Sequence, residues 1–262
     1  MSISVILPTR KRPAMAQAFL QSLYKTCQNP DEVEIVVLTD DDDNNYRDFN
    51  SPFRSTLKIS GQRIGIGEIT YKGIMQSSGD IIFLCNDDVL VQTESWDTEF
   101  RKTHQHFPDG VYLMAPNDMN KSKNLFVFPA FSRKLFNLLE DFPKIYQGAF
   151  IDTHIHEIFK SLKFKGHDRM VFLDKVQFAH NHFRVTGTSP DSTYRERKRF
   201  GDDWTFLASV GVRQQISDRL MRHISNIPEH CSLDKSQLTF PMAVMAYLNR
   251  SYLPFYLSLI HI

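Results

Sequence analysis

The chain has 262 residues, of which 42% are hydrophobic and 23% charged. That balance suits one large α/β domain or two small ones and excludes fibrous, collagen-like and disordered architectures. Lys and Arg number 31 against 30 Asp and Glu, so no broad positive field exists to attract a phosphate backbone, and no nucleic-acid partner is expected.

Three widely spaced cysteines, Cys27, Cys85 and Cys231, contain no Cys-x-x-Cys pair. They signal neither a disulfide framework nor a thiolate zinc site, which fits a reducing, cytoplasmic location. Met1 to Pro8 lacks the basic flank and apolar length of a secretory signal and reads as a first strand. The most apolar stretch, Leu238 to Ile262, is broken by Pro241, Asn249, Arg250 and Pro254, short of the ~20 residues of a spanning helix. No transmembrane segment is expected. The last six residues, Leu257 to Ile262, match the in-frame product of a sequencing-library adaptor, and the expectation is that they are a non-native tail.

Ser4 to Leu7 is a short apolar run, and Met15, Phe19 and Leu23 follow at helical spacing, so strand, loop and helix are predicted in turn. Val33 to Leu38, rich in β-branched residues, predicts a buried strand that opens into four aspartates, Asp40 to Asp43. Leu57 to Ile59 predicts another strand, and Ile66, Ile69, Gly73 and Ile74 mark a helix ending near Gly79. Asp80 to Cys85 is a further buried strand, delivering Asn86-Asp87-Asp88 into a loop before a helix with Trp96 and Phe100. Four βα-like units are thus expected before residue 108. Alternation of this kind implies a mostly parallel sheet flanked by helices, with ligands bound at the carboxyl ends of the strands. Beyond it the pattern turns less regular and α+β in character. Val111 to Ala115, Leu125 to Phe128 and Val171 to Ala179 read as strands, Thr153 to Leu162 as a helix, and Asp191 to Leu220 as helical.

Adjacent carboxylates at a strand end, as in Asn86-Asp87-Asp88, repel unless neutralised. They fit either a divalent-cation site, whose hard oxygen ligands leave positions open for phosphate, or a turn with capping work. The Asp40 to Asp43 run fits a solvated loop or a contact to ribose or base. No GxGxxG or GxxxxGK[ST] loop is present, which leaves Rossmann cofactor and P-loop sites unsupported. His180 and His182 flank Asn181 after a predicted strand, where alternation points both imidazoles to one side, as metal ligands or as packed histidines. His154 and His156 do not share a helix face and are not a metal pair. The cationic run from Arg195 to Arg199 fits a solvated helix face or a diphosphate contact, as does Arg63.

The order of these features resembles the GT-A fold glycosyltransferases of family 2, most of all short, soluble, phage-type members. Val5 to Arg12 is similar to the opening strand and nucleotide loop, Glu34 to Asp41 to the second strand with its nucleoside-contacting aspartate, and Ser78 to Asp88 to the segment entering the DXD metal motif. The resemblance covers residues 3 to 105 well and extends more loosely to about 200. One departure is Cys85, which stands where the motif often has its first aspartate. The resemblance implies a single GT-A domain: a Rossmann-like, mostly parallel sheet whose nucleotide-sugar-binding half is 1–110 and whose acceptor and catalytic half is 111–215. Residues 216–262 are then a C-terminal extension.

It further implies a metal-dependent, inverting transfer from a nucleoside diphosphate sugar, a UDP- or GDP-sugar, to a hydroxyl of a glycan or other acceptor. Asp152, at the start of a helix, is the implied catalytic base, a position that an N-cap would also fill. Asp87, Asp88, His180 and His182 are the implied ligands of Mn²⁺ or Mg²⁺. Pro8, Thr9, Arg10, Asp40, Asp41, Arg63, Asn86, Asp87 and Arg195 are the implied donor contacts. Two rivals stand beside this reading: a sugar-phosphate nucleotidyltransferase, which lacks its Gly-rich loop here, and a non-catalytic nucleotide- or carbohydrate-binding module.

Overall fold

Strand β1 (Ile3–Pro8) is buried on both faces, with Ile3, Val5 and Leu7 in one apolar layer and Ile6 in the other. A strand covered on both sides has no solvent face, so its sequence is apolar at every position but Ser4, whose buried hydroxyl donates to Glu34. In the computed structural model, which describes residues 1–196 and 200–227, β2 (Val33–Asp40) and β4 (Ile81–Leu84) flank β1 in parallel, and β3 (Ser55–Gly61) extends the parallel set beyond β2.

Helices α1 (Pro13–Lys25) and α3 (Trp96–His106) cover the first layer through Phe19, Leu20, Leu23, Trp96 and Phe100. The second layer is covered by α2 (Ile66–Gln76), α4 (Arg133–Leu139), α5 (Ile151–Phe164) and α9 (Val210–Ile224). Pro13 opens α1, where its fixed φ suits a helix start and its missing N–H costs nothing. Gly73 lets α2 rest directly on β2: a Cβ there would stand 2.8 Å from a Leu38 methyl.

Three helices, not four, follow the strands before residue 108, because β2 leads into a 3-10 turn (Asn44–Tyr46). The Asp43 carboxylate there accepts from the Asn45 amide and side chain and from the Lys11 amide, local bonds that compete with helix formation. The strand set continues through β7 (Ala130–Ser132), antiparallel to β4, then β6 (Leu113–Asn117), β8 (Met170–His180) and β5 (Val89–Val91). Together they form one eight-stranded sheet, order β3-β2-β1-β4-β7-β6-β8-β5. It is parallel around β1 and mixed beyond β4.

The strand expected over Leu125 to Phe128 does not form. Phe126 and Phe128 fall in different apolar layers, which a regular period of two forbids. The Phe126 amide donates to His156 Nδ1, and Pro129 has no amide to give a ladder. The helical region after Asp191 divides into α7 (Ser192–Arg195), α8 (Phe200–Ala208) and α9, preceded by α6 (Phe183–Thr186). Position 216, where the C-terminal extension was expected to start, falls within α9, whose Ile216 and Leu220 are buried. The adaptor-like tail, 257–262, lies outside the described residues. Among those described, no helix is long and apolar enough to cross a membrane.

Candidate active site

Because β1, β2 and β4 are parallel and in register, their carboxyl ends share one edge of the sheet, and Thr9, Asp40 and Asn86-Asp87-Asp88 collect there. Thr9 Oγ1 lies 2.5 Å from the Tyr46 hydroxyl and donates to Asp87 at 2.7 Å. Asp87 also receives Arg12 Nη1 at 3.1 Å. Burial pushes the Asp87 carboxyl up to about 6, against the pull of Arg12 and Thr9. Its oxygens are therefore engaged by the protein itself.

Asp88 has different partners. Strand β5 pairs with the end of β8 so that Val89 stands opposite His180, and the Asn181 amide donates to the Asp88 carbonyl. Asp88 Oδ2 accepts from the Tyr194 hydroxyl at 2.6 Å, while Asp88 Oδ1 and His180 Nε2 lie 3.4 Å apart. Both of these atoms are buried without a hydrogen bond. Burial works to raise the Asp88 carboxyl, but the imidazole and the Tyr194 hydroxyl outweigh it and hold the group at about 2.

Neighbouring ligands of a six-coordinate ion with bonds of about 2.1 Å stand about 3 Å apart, so this oxygen and nitrogen, 3.4 Å apart, fit two sites of one cation's shell. Among the described residues no third His, Cys, Asp or Glu joins them; a cation held here keeps positions for water or phosphate. His182 packs by its ring against His180 and Tyr194. Cys85, directly before Asn86, is a buried thiol whose pKa burial raises well above the ordinary value, so it stays neutral.

Beside this pair, Pro8, Ile66, Thr70, Cys85, Asn86 and Asp152 line a cavity of about 100 Å³. Asp152 sits in the first turn of α5, not at its cap: the residue before the helix is Phe150, in left-handed backbone at φ 73°. One Asp152 oxygen accepts from the Thr153 amide at 2.7 Å and the Thr153 hydroxyl at 3.3 Å. An acid in the first turn is favoured by the helix dipole. A larger cavity, about 450 Å³, lies at the opposite end of β4 by Asp80, His104 and Arg133, and contains none of these groups.

The remaining expected contacts form a charged rim. Arg10 is clamped by Asp42 and Asp40, at 2.5 and 2.6 Å, and these carboxylates raise its pKa. Asp41 is exposed, its amide bonded to Gly61. Arg63 reaches Glu196 at 3.3 Å, and Lys11 meets the same carboxylate at 2.8 Å. Arg195 turns back to the Pro190 carbonyl. The inner cation is instead Arg12, which sequence reasoning did not single out. It is nearly buried, holds Asp191 through two nitrogens at 2.7 and 2.8 Å, and lies over the Tyr194 ring at 4.4 Å. Asp191 and Glu196 were likewise missed as site members. The one available signal was Asp191-Ser192-Thr193-Tyr194, a helix-capping pattern, since Asp191 accepts from the Tyr194 amide.

The fold is that of GT-A glycosyltransferases. S. aureus TarS superposes with a TM-score of 0.57 at 15% identity, over 97% of this chain and 45% of that one. A TarS fragment, 1-349, in complex with UDP-GlcNAc gives 0.57 at 13%, over 90% of this chain and 74% of that one. A mannosyltransferase from Pyrobaculum calidifontis, in complex with GDP-Man and Mn²⁺, gives 0.52 at 14%, over 94% and 81%. The chain thus spans less than half the length of full TarS. No curated protein matches the sequence. The model of glycosyl transferase family 2 matches residues 4–164, more than half of the chain, and the chain belongs to that family.

Proposed function

We propose that the chain transfers a sugar from a nucleoside diphosphate sugar to an acceptor hydroxyl, with a divalent cation and with inversion at the anomeric carbon. The observation that carries this reading is the placement of Asp88 Oδ1 and His180 Nε2, a buried ion pair at 3.4 Å with no other hydrogen bond to either atom, at the same strand edge as the cavity lined by Asn86 and Asp152. Family membership and structural neighbours bound to GDP-Man with Mn²⁺ and to UDP-GlcNAc support it.

Asp88 and His180 would hold the Mn²⁺ or Mg²⁺, which supplies neutralising charge for a departing diphosphate. Asp87 keeps its internal role, tying Thr9 and Arg12 to the motif loop. Arg10, Lys11 and Arg63 form a cationic mouth whose carboxylate partners, Asp42, Asp40 and Glu196, are groups that a diphosphate can replace. Asp152 accepts the proton of the acceptor hydroxyl as it attacks from the side opposite the leaving group; inversion follows from a single displacement.

The test is thermal stability with UDP or GDP, each with and without Mn²⁺, followed by turnover of UDP-GlcNAc and GDP-mannose. A metal-dependent rise in the midpoint with one nucleotide supports the reading. No rise with either, in folded protein, refutes it and favours a chain that has lost its donor site.

A further inference from the structure

We propose that Asp202, on α8, is a positioning residue that sets where Asp152 stands. Its carboxylate is buried and accepts from three successive backbone amides, Gln147 at 2.9 Å, Gly148 at 2.7 Å and Ala149 at 2.9 Å. These amides belong to the loop that enters α5, and Gly148 and Ala149 line the same cavity as Asp152. Successive amides turned to one point form an anion nest, and here the anion is built into the chain.

The same helix grips the next residue. Phe206 stacks on Phe150 with centroids 5.1 Å apart, and Phe150 holds the left-handed φ of 73° that turns the chain into α5. That conformation costs a non-glycine residue and persists only where its surroundings impose it. From the other side, the amides of Ile66 and Gly67 donate to the carbonyls of Gln147 and Tyr146 at 3.2 and 2.9 Å, so the loop is clamped between α2 and α8. Asp152 follows two residues after Phe150, in the first turn of α5. Asp202 is not among the residues that line the cavity; its effect passes through the loop.

This inference rests on Asp152 being the base, and the experiment separates the two. Turnover of UDP-GlcNAc and GDP-mannose in water with Mn²⁺ is followed as release of nucleoside diphosphate for wild type, D202N, D152N and the double variant. Asn keeps the shape but offers one acceptor atom and turns an N–H₂ toward amides. D202N is expected to lose at least ~10-fold in kcat with KM within about twofold, because small displacements of a reacting group cost rate and not donor affinity. The double variant is expected to match D152N, as residues acting as one unit are non-additive. Wild-type kcat in D202N, or multiplicative losses, would overturn the proposal while leaving the base intact. Full turnover by D152N would overturn both.

Amide hydrogen exchange gives a readout independent of turnover. D202N should exchange at least ~10-fold faster at 147–153 and nowhere else in α5; unchanged exchange there refutes the clamp. If D202N does not fold, Phe206→Leu, which loosens Phe150 and keeps the carboxylate, is expected to show the same local exchange and kcat-only loss, and wild-type values in it would count equally against the proposal.

Discussion

Asp88 Oδ1 and His180 Nε2 face each other at 3.4 Å, and the register of β5 against β8 puts them there. Each atom is buried and, beyond this ion-pair contact, makes no hydrogen bond, which leaves a carboxylate oxygen and an imidazole nitrogen with capacity for a further partner.

Replacing either member should therefore remove the response to metal. Asp88→Asn is expected to abolish the Mn²⁺-dependent part of the thermal shift seen with a nucleoside diphosphate, and His180→Gln to weaken apparent Mn²⁺ affinity at least ~10-fold, read by titrating the ion. Chelation of wild type with EDTA should reproduce the Asp88→Asn result. An undiminished Mn²⁺ response in both variants would assign the ion elsewhere.

Asp152→Asn retains shape and removes the proton acceptor. Turnover should fall by about 10²–10⁴-fold, the range that general-base catalysis contributes. Nucleotide binding, measured by calorimetry, should be unchanged, since Asn keeps the shape of Asp152 and can still accept from the Thr153 amide and hydroxyl.

Arg12→Ala leaves Asp87 buried without its cation. Loss of one member of a buried pair costs about 3–5 kcal/mol, and urea unfolding at pH 8 should approach that range. Asp87 already has its carboxyl raised to about 6 by burial. A raised carboxyl contributes stability below its unfolded value and loses it as pH rises through 6, and removing Arg12 lifts it further. The cost of Arg12→Ala should thus be smaller at pH 5, where Asp87 takes up a proton.

His154 and His156 give the opposite pH dependence. Burial lowers both to about 3, with His154 Nδ1 beside the Tyr146 hydroxyl at 2.8 Å and His156 Nδ1 accepting from the Phe126 amide. Below about pH 6.5 the unfolded chain binds protons that the folded chain refuses, so stability is present above that pH and falls progressively toward 3. Chemical denaturation between pH 7 and 4.5 should show this loss. His154→Asn/His156→Asn should flatten the slope in that window, whatever its effect on absolute stability.

Much of the first half of the chain was legible because β1, β2 and β4 are buried on both faces, which writes apolar runs such as Ile35 to Leu38 into the sequence. The carboxyl-end positions of Pro8, Asp40 and Asn86-Asp87-Asp88 follow from those runs by counting. Phe126 and Phe128 show the limit: their apolar spacing mimics a strand, yet a side-chain acceptor, His156, takes the amide that a ladder needs. The three-residue β5 was invisible, since its single alternation of Val89, Leu90 and Val91 is too short to carry a period.

The composition, the strand-end aspartates and the family resemblance were thus determined by sequence, because each depends on local order along the chain. Only the tertiary structure decided that Asp87 turns inward to Thr9 and Arg12 while Asp88 turns to His180 and Tyr194. It also decided that Arg12, not Arg195, is the inner cation, and that Asp202 holds the loop before Asp152. The physical reason is common to all three. Each joins groups from separate elements, and which of several chemically equivalent carboxylates or guanidiniums is desolvated and paired is set by packing between helices and sheet, a relation that no local pattern encodes.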